Sequence, residues 1–149
     1  SLLIPPDIFR TFLKPRMASW ISCVKERSDA KIFLHCDGAI GEIMDDLIEI
    51  GVEILNPLQT GAKNMEPEGL KKRYGERLSF WGGGVDTQTT LPFGTIADIR
   101  TEAEERVRVL GEGGGYVFAA IHNIQADVPP EKVLAVYETA REKGTYPLC

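Results

Sequence analysis

Four short runs of β-branched and aromatic residues recur along the chain, at 31–35, 52–55, 78–81 and 116–120. Each is followed by a loop and then by apolar positions at helical spacing. Short apolar runs alternating with helices predict strands of a parallel sheet buried on both faces. Pro5, Pro6 and Asp7 open an N-terminal helix, in which Ile8, Phe9, Phe12, Leu13, Met17, Trp20, Ile21 and Val24 repeat with helical period. Pro15 lies inside that pattern and predicts a kink, or a break into two helices. A second helix spans 40–50 and stops at Gly51 in the C′ position, and a short third one spans 67–74 with Gly75 behind it. Thr95 and Asp98 form a capping-box-like pair, with Asp in place of Glu, ahead of a long helix to about Leu110. Glycines between 111 and 115 turn the chain into the fourth strand. Pro129 and Pro130 start the last helix, which ends near Lys143 and Gly144. The order is one helix followed by four βα units, in a single domain over 1–149. That suits an open doubly wound sheet or half of a (β/α)8 TIM barrel.

Composition narrows the partners. The 149 residues are 43% hydrophobic and 26% charged, the profile of a soluble globular protein long enough to bury a core. A net charge of −5 excludes the basic stripe that nucleic-acid binding needs, so no nucleic acid is expected. No apolar run reaches the roughly 20 residues of a membrane span, and no signal-peptide pattern opens the chain. The first residue is Ser rather than Met, which points to a processed end or the edge of a longer chain. Cys23, Cys36 and Cys149 are too few and too scattered for a disulfide framework, and Cys149 reads as a free thiol. A reducing, cytoplasmic setting is the default.

In parallel α/β folds the chemistry lies in the loops beyond the C-terminal ends of the strands. Those loops hold His35-Cys36-Asp37-Gly38, then Asn56-Pro57-Leu58-Gln59, then Asp86 and Gln88 after three glycines, then His122, Asn123, Gln125 and Asp127. Both histidines of the chain fall there. His35 and Asp37 are two residues apart, so a persisting strand conformation points them the same way. With His122 they offer two imidazoles and one carboxylate. The set suits Zn²⁺ with open positions, or equally imidazole acid–base chemistry or substrate hydrogen bonding. The candidate catalytic residues are therefore His35, Asp86 and His122. The candidate metal ligands are His35, Asp37 and His122, and the candidate substrate-binding residues are Asn56, Gln59, Gln88, Asn123 and Gln125.

Plainer roles compete at several positions. Asp86 could bond its own turn, and Gln59 and Gln125 could brace loops. Cys36 alternates away from the site and reads as structural, Trp81 as core. Asp45, Asp46 and the charges at 102–106 read as solvated helix faces, and Asp127 as a tie to the helix starting at Pro129. Neither triple-glycine turn, at 82–84 or 113–115, has a phosphate-binding spacing.

These motifs resemble a known family. The segments 35–38 and 46–59 resemble the fifth and sixth βα units of uroporphyrinogen decarboxylase-like proteins, 80–88 the seventh, and 113–118 with His122-Asn123-Ile124-Gln125 and Pro129-Pro130-Glu131 the eighth. The resemblance implies the C-terminal half of a TIM barrel and two possible chemistries. One is cofactor-free decarboxylation of a tetrapyrrole in porphyrin biosynthesis, for which His122 matches a histidine of the eighth loop. The other is zinc-dependent methyl transfer between a corrinoid protein and a thiol such as coenzyme M. In that branch His35 matches the histidine of a His-x-Cys motif, while Asp37 and His122 stand where cysteines are usual. A harder His/Asp/His site would replace the thiolate-rich one. The lean is towards metal-assisted methyl transfer or demethylation with a corrinoid partner, because Lys63 is the one cation of the four loops where a polycarboxylate would need several. Half a barrel also leaves open edges and an uncovered inner face. Homodimerisation, pairing with an N-terminal half, or an inactive self-associating fragment follows from that.

Overall fold

A computed structural model describes residues 2–148, so Cys149 lies outside the described residues. The elements run α1 (Pro6–Ile8), a π-helical turn (Phe9–Leu13), α2 (Lys14–Lys25), β1 (Phe33–His35), a 3₁₀ turn (Gly41–Ile43) and α3 (Met44–Glu49). They continue through β2 (Ile54–Asn56), α4 (Pro67–Tyr74), β3 (Ser79–Trp81), α5 (Thr90–Phe93), α6 (Ile96–Gly111), β4 (Tyr116–Val117) and α7 (Pro130–Lys143). The four strands form one parallel sheet in the order β1-β2-β3-β4. Sequential neighbours joined by helices are what half of a TIM barrel requires; a doubly wound sheet would reverse its order at a switch point.

Several boundaries differ from the sequence pattern for local reasons. Pro15 is the second residue of α2, and the helical run is broken just ahead of it into α1, a π-helical turn and α2. At the break, Lys14 N–H reaches back five residues to the Phe9 carbonyl. The helix over 40–50 is a 3₁₀ turn followed by α3. Its end is a Schellman motif, with Gly51 at φ 100°, Gly51 N–H on Ile48 and Val52 N–H on Leu47. The fourth strand is two residues rather than five, yet its pairing runs on as Gly82 and Gly84 donate to Val117 and Ala119. The helix α5 had no periodic signal at four residues. The capping box at Thr95 and Asp98 is present, both hydrogen bonds included.

Register decides which face is buried. Leu34, Leu55, Phe80 and Tyr116 are successive partners across the sheet. They face the helices and join Ile40, Met44, Leu47, Leu58, Met65, Leu70 and Leu110 in the main core. A second cluster, Val85, Leu91, Ile99, Val128, Ala135 and Val136, packs α5, α6 and α7 together. Alternation sends Phe33, His35, Asn56, Trp81 and Val117 to the opposite, inner face. That face is uncovered: Phe33 is 46% exposed, Val117 39% and Trp81 38%. Trp81 is thus not core; its ring meets Phe33 edge-on, centroids 5.3 Å apart. The N-terminal helix also buries less than its pattern promised, since Phe9 is buried but Phe12 and Trp20 are exposed.

Charges hold that helix in place. Asp46, expected on a solvated face, is buried and takes Arg10 at 2.9 Å and Lys14 at 2.8 Å. These two donors hold its carboxyl below the usual range. Glu53 binds Lys25 and Lys31 and accepts from Ile32 N–H, which holds its pKa at about 2 against an ordinary 4.5. A lowered folded-state pKa stabilises above the unfolded value, and the contribution is lost as pH falls through the folded one. Glu53→Gln is therefore expected to lower the thermal midpoint at neutral pH. The gap to the parent should close between about pH 4.5 and 2 in melts followed by circular dichroism. A gap independent of pH would count against the assignment.

Candidate active site

The C-terminal ends of β1 and β2 are in register, so His35 and Asn56 stand side by side on the inner face. His35 Nδ1 lies 2.6 Å from Asn56 Oδ1, and Asn56 Nδ2 donates to the Trp81 carbonyl at 3.1 Å. The amide is thereby oriented with its oxygen towards the ring. An amide oxygen only accepts, so Nδ1 carries a proton and Nε2 is the face offered to the rim. Asp37 meets that face: Oδ2 is 3.5 Å from His35 Nε2, and Oδ1 is 3.2 Å from His122 Nε2. One carboxylate thus bridges two imidazoles from opposite ends of the sheet. All three side chains are 41–59% exposed, so water reaches the cluster. Beside it opens a cleft of about 420 Å³, lined by His35, Asn56, the segment 119–123 and Tyr137.

The other candidates divide between lining and bracing. Asn123 lines the cleft. Gln59 accepts from Gly38 N–H at 2.8 Å and ties the loop carrying Asp37 to the loop after β2. Gly38, at φ 88°, makes the turn that lets this happen. Gln125 bonds the Asn123 carbonyl at 3.0 Å, and Gln88 is exposed, donating its backbone N–H to Asp86. Asp86 is engaged by its own loop: Oδ1 accepts from Gln88 N–H at 2.7 Å and Thr89 N–H at 2.9 Å. These contacts match the turn-bonding role. Cys36 is half-buried against the core behind the site, and burial pushes its thiol up, away from reactivity. Ala119, Ala120, Ile121 and Tyr137 line the cleft without any sequence motif to mark them.

Two imidazoles and a carboxylate are donors that zinc accepts, but their arrangement does not fit an ion. Among the described residues, no group of three or more His, Cys, Asp or Glu side chains is arranged to hold a metal. No step is therefore routed through zinc at His35, Asp37 and His122. What the cluster can do is move a proton: an imidazole anchored through Nδ1 accepts at Nε2, and the adjacent carboxylate stabilises the imidazolium formed.

The uroporphyrinogen decarboxylase (URO-D) family model matches residues 1–143. A solved methyltransferase from Methanosarcina mazei superposes with a TM-score of 0.71 at 29% sequence identity, covering 94% of this chain. The chain spans 38% of that protein's length. No curated protein matches. Among the described residues, no helix is long and apolar enough to cross a membrane.

The Asp86 contacts make a direct prediction. Asp86→Ala is expected to cost about 1 kcal/mol of stability, as loss of a turn or cap acceptor does, read from urea unfolding. An unchanged midpoint would return Asp86 to the groups held for chemistry.

Proposed function

The chain belongs to the uroporphyrinogen decarboxylase family, and on that premise we propose that it forms the C-terminal half of a methyl-transferring barrel working with a corrinoid partner. The likeness to a methyltransferase over nearly the whole chain is the observation that carries this reading. The site supports it chemically. A thiol acceptor must lose its proton to become a competent nucleophile. His35, held through Nδ1 by Asn56, can take that proton at Nε2, and Asp37 then pairs with the imidazolium. The thiolate attacks the methyl carbon, and the electron pair of the broken bond to the methyl group stays with the corrinoid. His122, on the other oxygen of Asp37, offers a second acceptor or hydrogen-bond donor.

Decarboxylation of a uroporphyrinogen-type tetrapyrrole is the second reading, favoured by His122 in the fourth loop. It is weaker here because Lys63 alone among the four loops would meet a polycarboxylate. In either chemistry the bare inner face needs a cover. Four further strands, from a second copy or from the N-terminal half of such a barrel, would supply it.

Mixed with methylcob(III)alamin and a small thiol, the protein is expected to accelerate loss of the methyl–cobalt absorbance. Asp37→Asn and His122→Ala should slow this by about 10²-fold or more, the range of a lost acid–base group. Carbon dioxide release from uroporphyrinogen in metal-free buffer, abolished in His122→Ala and without methyl transfer, would put decarboxylation in its place. Sedimentation should show self-association of the chain. A compact monomer would count against the second copy as cover.

A further inference from the structure

Of the charges at 102–106, Glu104 is exposed as expected, but Glu102 and Arg106 are not. Glu102 and Arg106 pair at 2.9 Å with side chains only 13% and 15% exposed. Two of their atoms, Glu102 Oε2 and Arg106 Nε, are buried without a protein hydrogen-bond partner. Such a pair is a poor source of stability, because desolvating both charges offsets most of their attraction. Its position suggests another use. Glu102 Oε1 also accepts the backbone N–H of Asp86 at 3.2 Å, which fastens the loop after β3 to α6. Asp86 in turn abuts the loop after β2: a Cβ on Gly61 would lie 2.8 Å from Asp86 Oδ2, so a side chain there would push that carboxylate aside. Two residues earlier in that loop, Gln59 holds Gly38 N–H beside Asp37.

We propose that the buried Glu102–Arg106 pair is a positioning unit for the rim, acting through Asp86, Gly61 and Gln59 on Asp37 and the two imidazoles. Arg106 fixes the Glu102 carboxylate, and Glu102 fixes the height of the loop after β3. The contact at Gly61 passes that height to the loop after β2, whose glutamine sets the turn carrying Asp37. The two residues touch no substrate. They rest on the rim being the site, and not on which reaction it runs.

The chain has two histidines, both at the rim, so two imidazole signals in an NMR spectrum report on it alone. Glu102→Leu combined with Arg106→Met replaces the pair with apolar groups of similar size, a change that leaves buried sites as stable or more so. The double variant should stay folded, Asp86 N–H, now without its acceptor, should exchange about tenfold faster, and both imidazole signals should move beyond their linewidths. Gly61→Ala interrupts the middle of the relay and should move the same signals with the α6 pair intact, which keeps the test available if the double variant does not fold. Imidazole signals that stay in place in either folded variant would overturn the proposal and leave the pair as a local brace. Neither readout needs turnover, so a failure of methyl transfer would leave this result standing, and the reverse.

Discussion

Side-chain alternation in a parallel sheet is the constraint on which this molecule depends. Once Leu34, Leu55, Phe80 and Tyr116 are in register and packed against the helices, the residues between them have no choice of face. His35 and Asn56 are then neighbours by necessity, and the ring finds its acceptor without any loop having to search for it. A slip of one residue in β1 would bury His35 and turn Leu34 out. The core and the site are therefore fixed by one pairing, and the apolar row that stabilises the sheet also orients the imidazole.

Much of this was legible in the chain because it rests on local rules. Strand positions, the glycine stop at Gly51, the capping box at Thr95 and Asp98, and the gathering of His35, Asp37 and His122 follow from periodicity and from the rule that function sits beyond strand ends. What was not legible is long-range electrostatics. Asp46 looks like any helix-surface acid until the N-terminal helix lays Arg10 and Lys14 across it. Glu102 and Arg106 have the spacing of an exposed i, i+4 pair, and nothing in their spacing says that the Asp86 loop covers them. Trp81 failed for a different reason: an aromatic strand residue is normally core, but this sheet covers only one of its faces.

The amides of the loops divide in a way their chemistry alone could not foretell. Asn56 is held at both ends, by His35 and by the Trp81 carbonyl, and so works on the ring. Gln59 has a longer reach and spends it on a backbone N–H across the next loop. Gln125 turns back on its own segment. Asn56, rooted in a strand, serves the site directly, while Gln59 and Gln125 in the loops brace the backbone that carries it. Asp86 follows the same logic: in the loop itself, a carboxylate one bond from the chain meets two backbone donors before it can meet a distant imidazole.

The uncovered inner face bears on the strength of the site as well as on association. Asp37 and both imidazoles are close to half exposed, and two unit charges 4 Å apart attract by only about 1 kcal/mol in water against about 4 kcal/mol at the effective dielectric of a protein surface cleft. Covering Phe33, Trp81 and Val117 with further strands would bury the aromatic floor and also thin the water around Asp37, so the same carboxylate would stabilise an imidazolium several times more strongly. On the proposed reading the groups that would move the proton lie within this half, and a cover over the inner face would add the electrostatic leverage. The cover is then part of the chemistry, because the hydrophobic contact that removes the apolar face from water is also what makes Asp37 an effective partner to the rings.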